Sequence, residues 1–205
     1  MGYKRPMPHQ HSYDVEKFKH EYLPLQGYGG TYAIALTTEA AAAEPAINTL
    51  IISAGAGAAS FGEITDSSIV GLSIDATGDD LGILWPIPYD LDVASPITFS
   101  VLWSSDQATT TDTLTFKVLY DELTIDTSPI EKGTTALDTA IAADTNVAGV
   151  SALQESPAGI LNGGNLTNGR VLTLAVELDA VSGPTMGSDI IHATHLHIKY
   201  VRRAL

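Results

Sequence analysis

His192, His195 and His197 crowd one short C-terminal segment whose spacing could serve chemistry. If that segment is a strand, side chains two apart share a face, so His195 and His197 point together and His192 points the opposite way. Neutral imidazole is a common metal ligand, and the pair could supply two ligands of a site completed from another strand or another subunit. The simpler reading is a polar face that hydrogen-bonds across the sheet or lies at a subunit contact. We adopt it, and no metal or cofactor is assigned. His9 and His11 near the N-terminus are weaker candidates still.

Residues 49–62, TLIISAGAGAASFG, run from an apolar stretch into Gly55-Ala56-Gly57, and Asp75 closes another apolar run 20 residues after Gly55. This imitates a dinucleotide fingerprint, in which a glycine turn lets pyrophosphate approach a helix N-terminus. The helix is missing from the pattern. Residues 61–68, FGEITDSS, hold too few helix formers, Ser60 stands where the third glycine belongs, and no βαβ units follow. An Ala/Gly-rich loop between strands is the better reading.

The carboxylate pairs Asp79/Asp80, Asp90/Asp92 and Asp121/Glu122 have the composition of an acid–base pair for glycoside cleavage or of a calcium site. With 24 acidic residues in 205, however, neighbouring acids arise by chance, and no calcium-loop signature frames them. Nucleophile elbow, Walker loop and HExxH motif are all absent. The absence of cysteine removes disulfides, thiolate metal sites and thiol nucleophiles. Trp85, Tyr89, Phe99, Trp103, Phe116 and Tyr120 could include a sugar-stacking platform, but aromatics on alternating strands are more often core. The expectation is a protein that is not an enzyme.

The elements that must carry these residues read as β. Alternating or β-branched runs occupy 31–37, 69–75, 81–85, 97–103, 113–123, 171–179 and 190–201, with a further candidate at 48–53, each bounded by Gly, Pro, Asp, Asn or Ser. About eight strands suit a double-sheet jelly roll. Residues 134–145, TTALDTAIAADT, break the rhythm: Leu137 and Ile141 stand at helical spacing, Thr134 or Thr135 can cap the start, and Asp138 suits the first turn. They predict one short helix. Residues 156–170 read as a Gly/Asn loop. The expected fold is therefore an all-β jelly-roll sandwich over residues 31–205.

Residues 1–30 stand apart as an extended N-terminal arm. They hold Lys4, Arg5, Lys17 and Lys19 and carry a net charge of +1, while residues 31–198 carry −18 and the last seven +3. Val15, Phe18 and Tyr22 could line a short helix that Pro24 and the following glycines end. An acidic body repels nucleic-acid backbones and anionic membranes, so neither is an expected partner. No apolar segment behind the N-terminal basic residues resembles a secretory signal, and the Ala/Gly-dominated stretch at 46–62 is too weakly apolar to span a bilayer. A soluble protein is expected.

One ordered series is more specific than composition: WPIPYDLD (85–92), SPITFSVLWSS (95–105), TDTLTFKVLY (111–120), TALDTAI (135–141), GILNGGNL (159–166), LTLAVELDA (172–180) and HLHIKYVRR (195–203). It resembles structural proteins of tailed bacteriophages, especially jelly-roll capsid decoration (cement) proteins and related head proteins. The resemblance implies a non-enzymatic virion component on the capsid surface, a homotrimer that binds the major capsid protein. Within it the arm would grip the lattice, with Tyr3, Lys4, Arg5, Tyr13, Phe18 and Tyr22 as contacts. The WPIP turn would bring Trp85 out of a strand, with Asp90 and Asp92 at a turn into the next strand. A carbohydrate-binding or adhesion module of a phage fibre or spike is the alternative reading.

Overall fold

A computed structural model describes residues 18–24, 50–52, 60–64, 69–74, 77–78, 80–105, 112–145, 152–182 and 191–203. Tyr3, Lys4, Arg5, Tyr13, His9, His11, Val15, the run at 31–37, Gly55, Gly57, Asp75 and Asp79 lie outside them. In chain order the strands are β1 (Phe18–Pro24), β2 (Leu50–Ile52), β3 (Ser60–Ile64), β4 (Ile69–Ile74), β5 (Asp80–Pro86), β6 (Pro96–Ser105) and β7 (Thr113–Leu123). There follow β8 (Thr135–Ala136), β9 (Asp144–Thr145), β10 (Gln154–Glu155), β11 (Gly159–Asn162), β12 (Val171–Ser182) and β13 (Ile191–Val201).

The strands form two antiparallel sheets. Sheet A runs β10-β6-β13-β4-β3, and sheet B runs β2-β5-β12-β7-β8 with β9 also on β7. In sheet A, β4 meets β13 at Ile191–Ala193, and β1 takes over the same side of β13 from His195 to Val201. On β6, likewise, β10 pairs with Trp103 and Leu102 and β11 with residues 96–99.

Period-two alternation places one row from each long strand between the sheets. Leu81, Ile83 and Trp85 come from β5, Ile97, Phe99, Val101 and Trp103 from β6, and Leu114, Phe116 and Val118 from β7. Leu172, Leu174, Val176 and Leu178 of β12 and Leu196, Ile198 and Tyr200 of β13 complete it. Aromatic edges lock the layers: Trp85 of sheet B meets Phe99 of sheet A edge-on at 6.4 Å, and Trp103 of sheet A meets Phe116 of sheet B at 6.3 Å. Burying each such ring stabilises the fold by roughly 2–3 kcal/mol. The all-β sandwich is thus the architecture, and β2, β4, β5, β6, β7, β12 and β13 fall on the runs expected to be strands.

Three local expectations are corrected. Residues 134–145 form β8, β9 and extended chain instead of a helix. Leu137 and Ile141 are core residues, but the backbone bonds outward: Thr139 exchanges two hydrogen bonds with Ile160, at 3.0 and 2.8 Å, which bridges this segment to β11. Asp121 accepts from the Thr134 N–H and hydroxyl and from the Thr135 hydroxyl, fixing the chain beside β7 where a helix would need those groups as its own start. The run 156–170 is only partly loop, because Gly159–Asn162 is strand and Gly163–Asn165 a 3₁₀ turn. Phe18 and Tyr22 belong to strand β1 and not to a helix, since seven consecutive residues find ladder partners on β13.

Candidate functional site

The N-terminal segment enters the sandwich through β1, and its two faces do different work. Glu21 and Leu23 face inward. Leu23 packs on the core, and the Glu21 carboxylate accepts the Trp85 indole N–H and the Tyr200 hydroxyl, each at 2.8 Å. Burial, the bond to Glu21 and the nearby charges of Glu21 and Asp90 push the Tyr200 hydroxyl well above the usual phenol range, against the opposing Arg202. A carboxylate this close to the core is tolerable because both oxygens are bonded.

Phe18, His20 and Tyr22 form the outer row, and Phe18 and Tyr22 remain 45% and 51% exposed. The Lys199 ammonium sits over the Phe18 ring, 4.9 Å from its centre. Tyr22 stacks on His197 with ring centres 4.2 Å apart, and His20 stacks more loosely at 5.2 Å. The row Tyr22, His197, Ser100 crosses β1, β13 and β6 at paired positions, so the ladder itself brings these side chains together.

Both nitrogens of His197 are engaged. Nε2 lies 3.0 Å from Nδ1 of His20, and Nδ1 lies 2.6 Å from Oε1 of Glu155 on β10. The Ser100 hydroxyl donates to the same Glu155 oxygen at 2.5 Å. Burial raises the Glu155 carboxyl, but the bonds from Ser100 and His197 and the charges of His197 and His20 outweigh it and hold the group below its ordinary value. Ser100, His197 and Glu155 name the parts of a nucleophilic triad without its geometry. Serine and acid meet the same imidazole nitrogen, and the serine proton already points at the carboxylate, so no base stands ready to take it.

His192, His195 and His197 are disposed differently from strict alternation. The register of β13 against β6 shifts between Ala193 and His195, where Thr194 is the extra residue. Ala193 and Leu196 both face the core, so the bulge returns His192, His195 and His197 to one face, and His192 is not opposite the other two. His195 is half-buried, which lowers its imidazole below the ordinary value. Among the described residues no group of three or more His, Asp or Glu side chains is arranged to hold a metal ion.

The carboxylates singled out by sequence serve as internal ties. Asp80 pairs with Lys132, Asp90 with Arg202, and Glu122 with Arg170 at 2.7 Å. Asp92 accepts from the Ala94 N–H and the Ser95 hydroxyl, closing the turn before β6. Of the six aromatics, Trp85, Phe99, Trp103 and Phe116 are core, Tyr120 packs against it, and only Tyr89 stands out, 83% exposed. β5 runs through Trp85 to Pro86, so this indole stays within the strand. Sequence reasoning missed Glu21, His20, Ser100 and Glu155, because their partners come from strands far apart in the chain. Compared with known proteins, the chain matches no family model and no curated protein.

Proposed function

We propose that this protein is a virion structural subunit, a capsid decoration (cement) protein that binds the major capsid protein and stabilises the head without catalysis. The observation that supports it most is β1: the N-terminal segment is bolted to both sheets by Glu21 and displays Phe18 and Tyr22 outward. A docking element of this kind needs a rigid base and exposed aromatic contacts. Partner recognition would run from Tyr3, Lys4, Arg5 and Tyr13 into Phe18 and Tyr22, with a homotrimer as the assembled form. The acidic body disfavours nucleic acid and anionic membrane as partners. The proposal needs the two-sheet sandwich and not a jelly-roll winding.

Co-sedimentation with capsids stripped of the protein tests it. Deleting residues 1–25 would also remove β1 and Glu21, so the informative variants are a deletion of residues 1–17 and Phe18→Ala. Each should weaken capsid binding at least tenfold while leaving the thermal midpoint near that of the parent. Undiminished binding by both would overturn the assignment. A light-scattering mass of three times 21.6 kDa would support the trimer. The second reading, a carbohydrate-binding module of a fibre or spike, draws support from the exposed ring of Tyr89, and a glycan array with a Tyr89→Ala control separates the two.

A further inference from the structure

The contact between His20 and His197 is a direct imidazole–imidazole hydrogen bond that joins the N-terminal strand to the C-terminal one, and nothing in the proposed function uses it. Nδ1 of His20 faces Nε2 of His197 at 3.0 Å, and one proton must lie between them. With both rings neutral, His20 donates to His197, which donates its other N–H to Glu155. With one added proton, His197 carries N–H on both nitrogens and donates to an unprotonated His20 nitrogen. With two, each ring points an N–H at the other, and the bond becomes a repulsion.

We propose that this pair is a proton-operated clasp on β1, which holds the strand while it carries at most one added proton and loosens it when both rings are charged. The surroundings fix that limit. From β6 the clasp faces the neutral Ser100, from β10 the single carboxylate of Glu155, and from β1 Tyr22, whose ring covers His197. On β13 itself the outer-face neighbours are His195 and the cationic Lys199. One negative charge balances one proton, and Lys199 opposes a second. Off the sheet the two imidazoles stand apart and each can carry its own proton, so in acid the released strand binds one more proton than the docked one and docking weakens as pH falls. The inference goes beyond the capsid reading and stands without it.

Hydrogen exchange on the full chain, read on the amides of 18–24 at pH 7.5 and 5.0 and corrected for intrinsic rates, tests the clasp. Protection of β1 should fall at least tenfold at pH 5.0, while that of β12 holds. In His20→Gln, which leaves one imidazole, the β1 fall should shrink to less than threefold. Equal protection of β1 at both pH values in the parent would overturn the proposal, as would an undiminished fall in His20→Gln or a parallel fall in β12. Should His20→Gln misfold, imidazole NMR of the parent decides: two separated protonation steps for His20 and His197 support the clasp, and one shared step rejects it.

Discussion

Glu21 in sheet A and Trp85 in sheet B are joined by a 2.8 Å hydrogen bond through the interior, although 64 positions separate them in sequence. The same carboxylate takes the Tyr200 hydroxyl, so one acidic side chain ties the N-terminal strand to both layers. Glu21→Ala strands two donors near the core and should destabilise the protein by about 2–3 kcal/mol in urea unfolding. Glu21→Gln keeps one acceptor and should lose about half of that. Equal stability of the alanine variant and the parent would show that water replaces the carboxylate.

How much of this was legible beforehand follows from distance along the chain. The runs that became β5, β6, β7, β12 and β13 declare themselves because alternation is a local signal, read within ten residues. The order of the strands is not local, and neither is the cluster around His197, whose partners sit on β1, β6 and β10. A bulge at Thr194 has no compositional mark, so the face of His192 could not be assigned from spacing. The helix expected at 134–145 failed for a related reason. Leu137 and Ile141 fit a helical stripe equally well as two inward visits of an extended chain, and Asp121, over ten residues upstream, decides between them.

At the alkaline end, Tyr200 should set the course of stability. Its proton is held more tightly in the folded chain than at the unfolded value of 10.0, so its contribution is fully present below pH 10 and is lost as pH rises further. Tyr120, raised by burial and by Asp138 and Asp121, acts in the same direction. Urea midpoints should therefore decline above pH 10, and Tyr200→Phe should show a shallower decline from a lower starting stability.

At the acid end the sign reverses for Glu155. Its carboxyl is depressed in the folded chain, so the stabilisation it gives is present above the unfolded value of 4.5 and disappears as pH falls through the folded one. Glu155→Gln should flatten the loss of stability below pH 4.5, as measured by thermal midpoints from pH 3 to 6.

Adjacent glycines in the turn after β11 should respond oppositely to alanine. A methyl at Gly163 would lie 2.7 Å from the Ser95 carbonyl oxygen and 3.0 Å from that of Val93, both backbone atoms that cannot step aside. At Gly164 the nearest such atom is 3.9 Å away. Gly163→Ala should cost about 1–3 kcal/mol, and Gly164→Ala should fall within about 0.5 kcal/mol of the parent.

The ion pair of Asp80 with Lys132 holds the segment after β7 against β5. Asp80 is 3% exposed and its Oδ1 has no partner among the described residues, so the lysine is what makes that carboxylate tolerable. Lys132→Met should cost about 3 kcal/mol, and adding Asp80→Asn should recover part of it. Chemical denaturation of the two single variants and the double variant checks the cycle.

The pairing of β1 with β13 also dictates a timetable. His20 must find a partner 177 residues later, and Tyr200 lies 179 residues beyond Glu21. During synthesis β1 therefore waits until β13 has left the ribosome, with Phe18, Tyr22 and Leu23 lacking that docking surface throughout. Closure of so long a loop belongs to the end of folding, where high contact order makes the step slow. A chain shortened before β13 would take from β1 the ladder that β13 gives it, and from Trp85 the acceptor that the docked strand holds in place. Newly made chains would then pass through a sticky intermediate, and aggregation should compete with folding most strongly in the interval before β13 emerges.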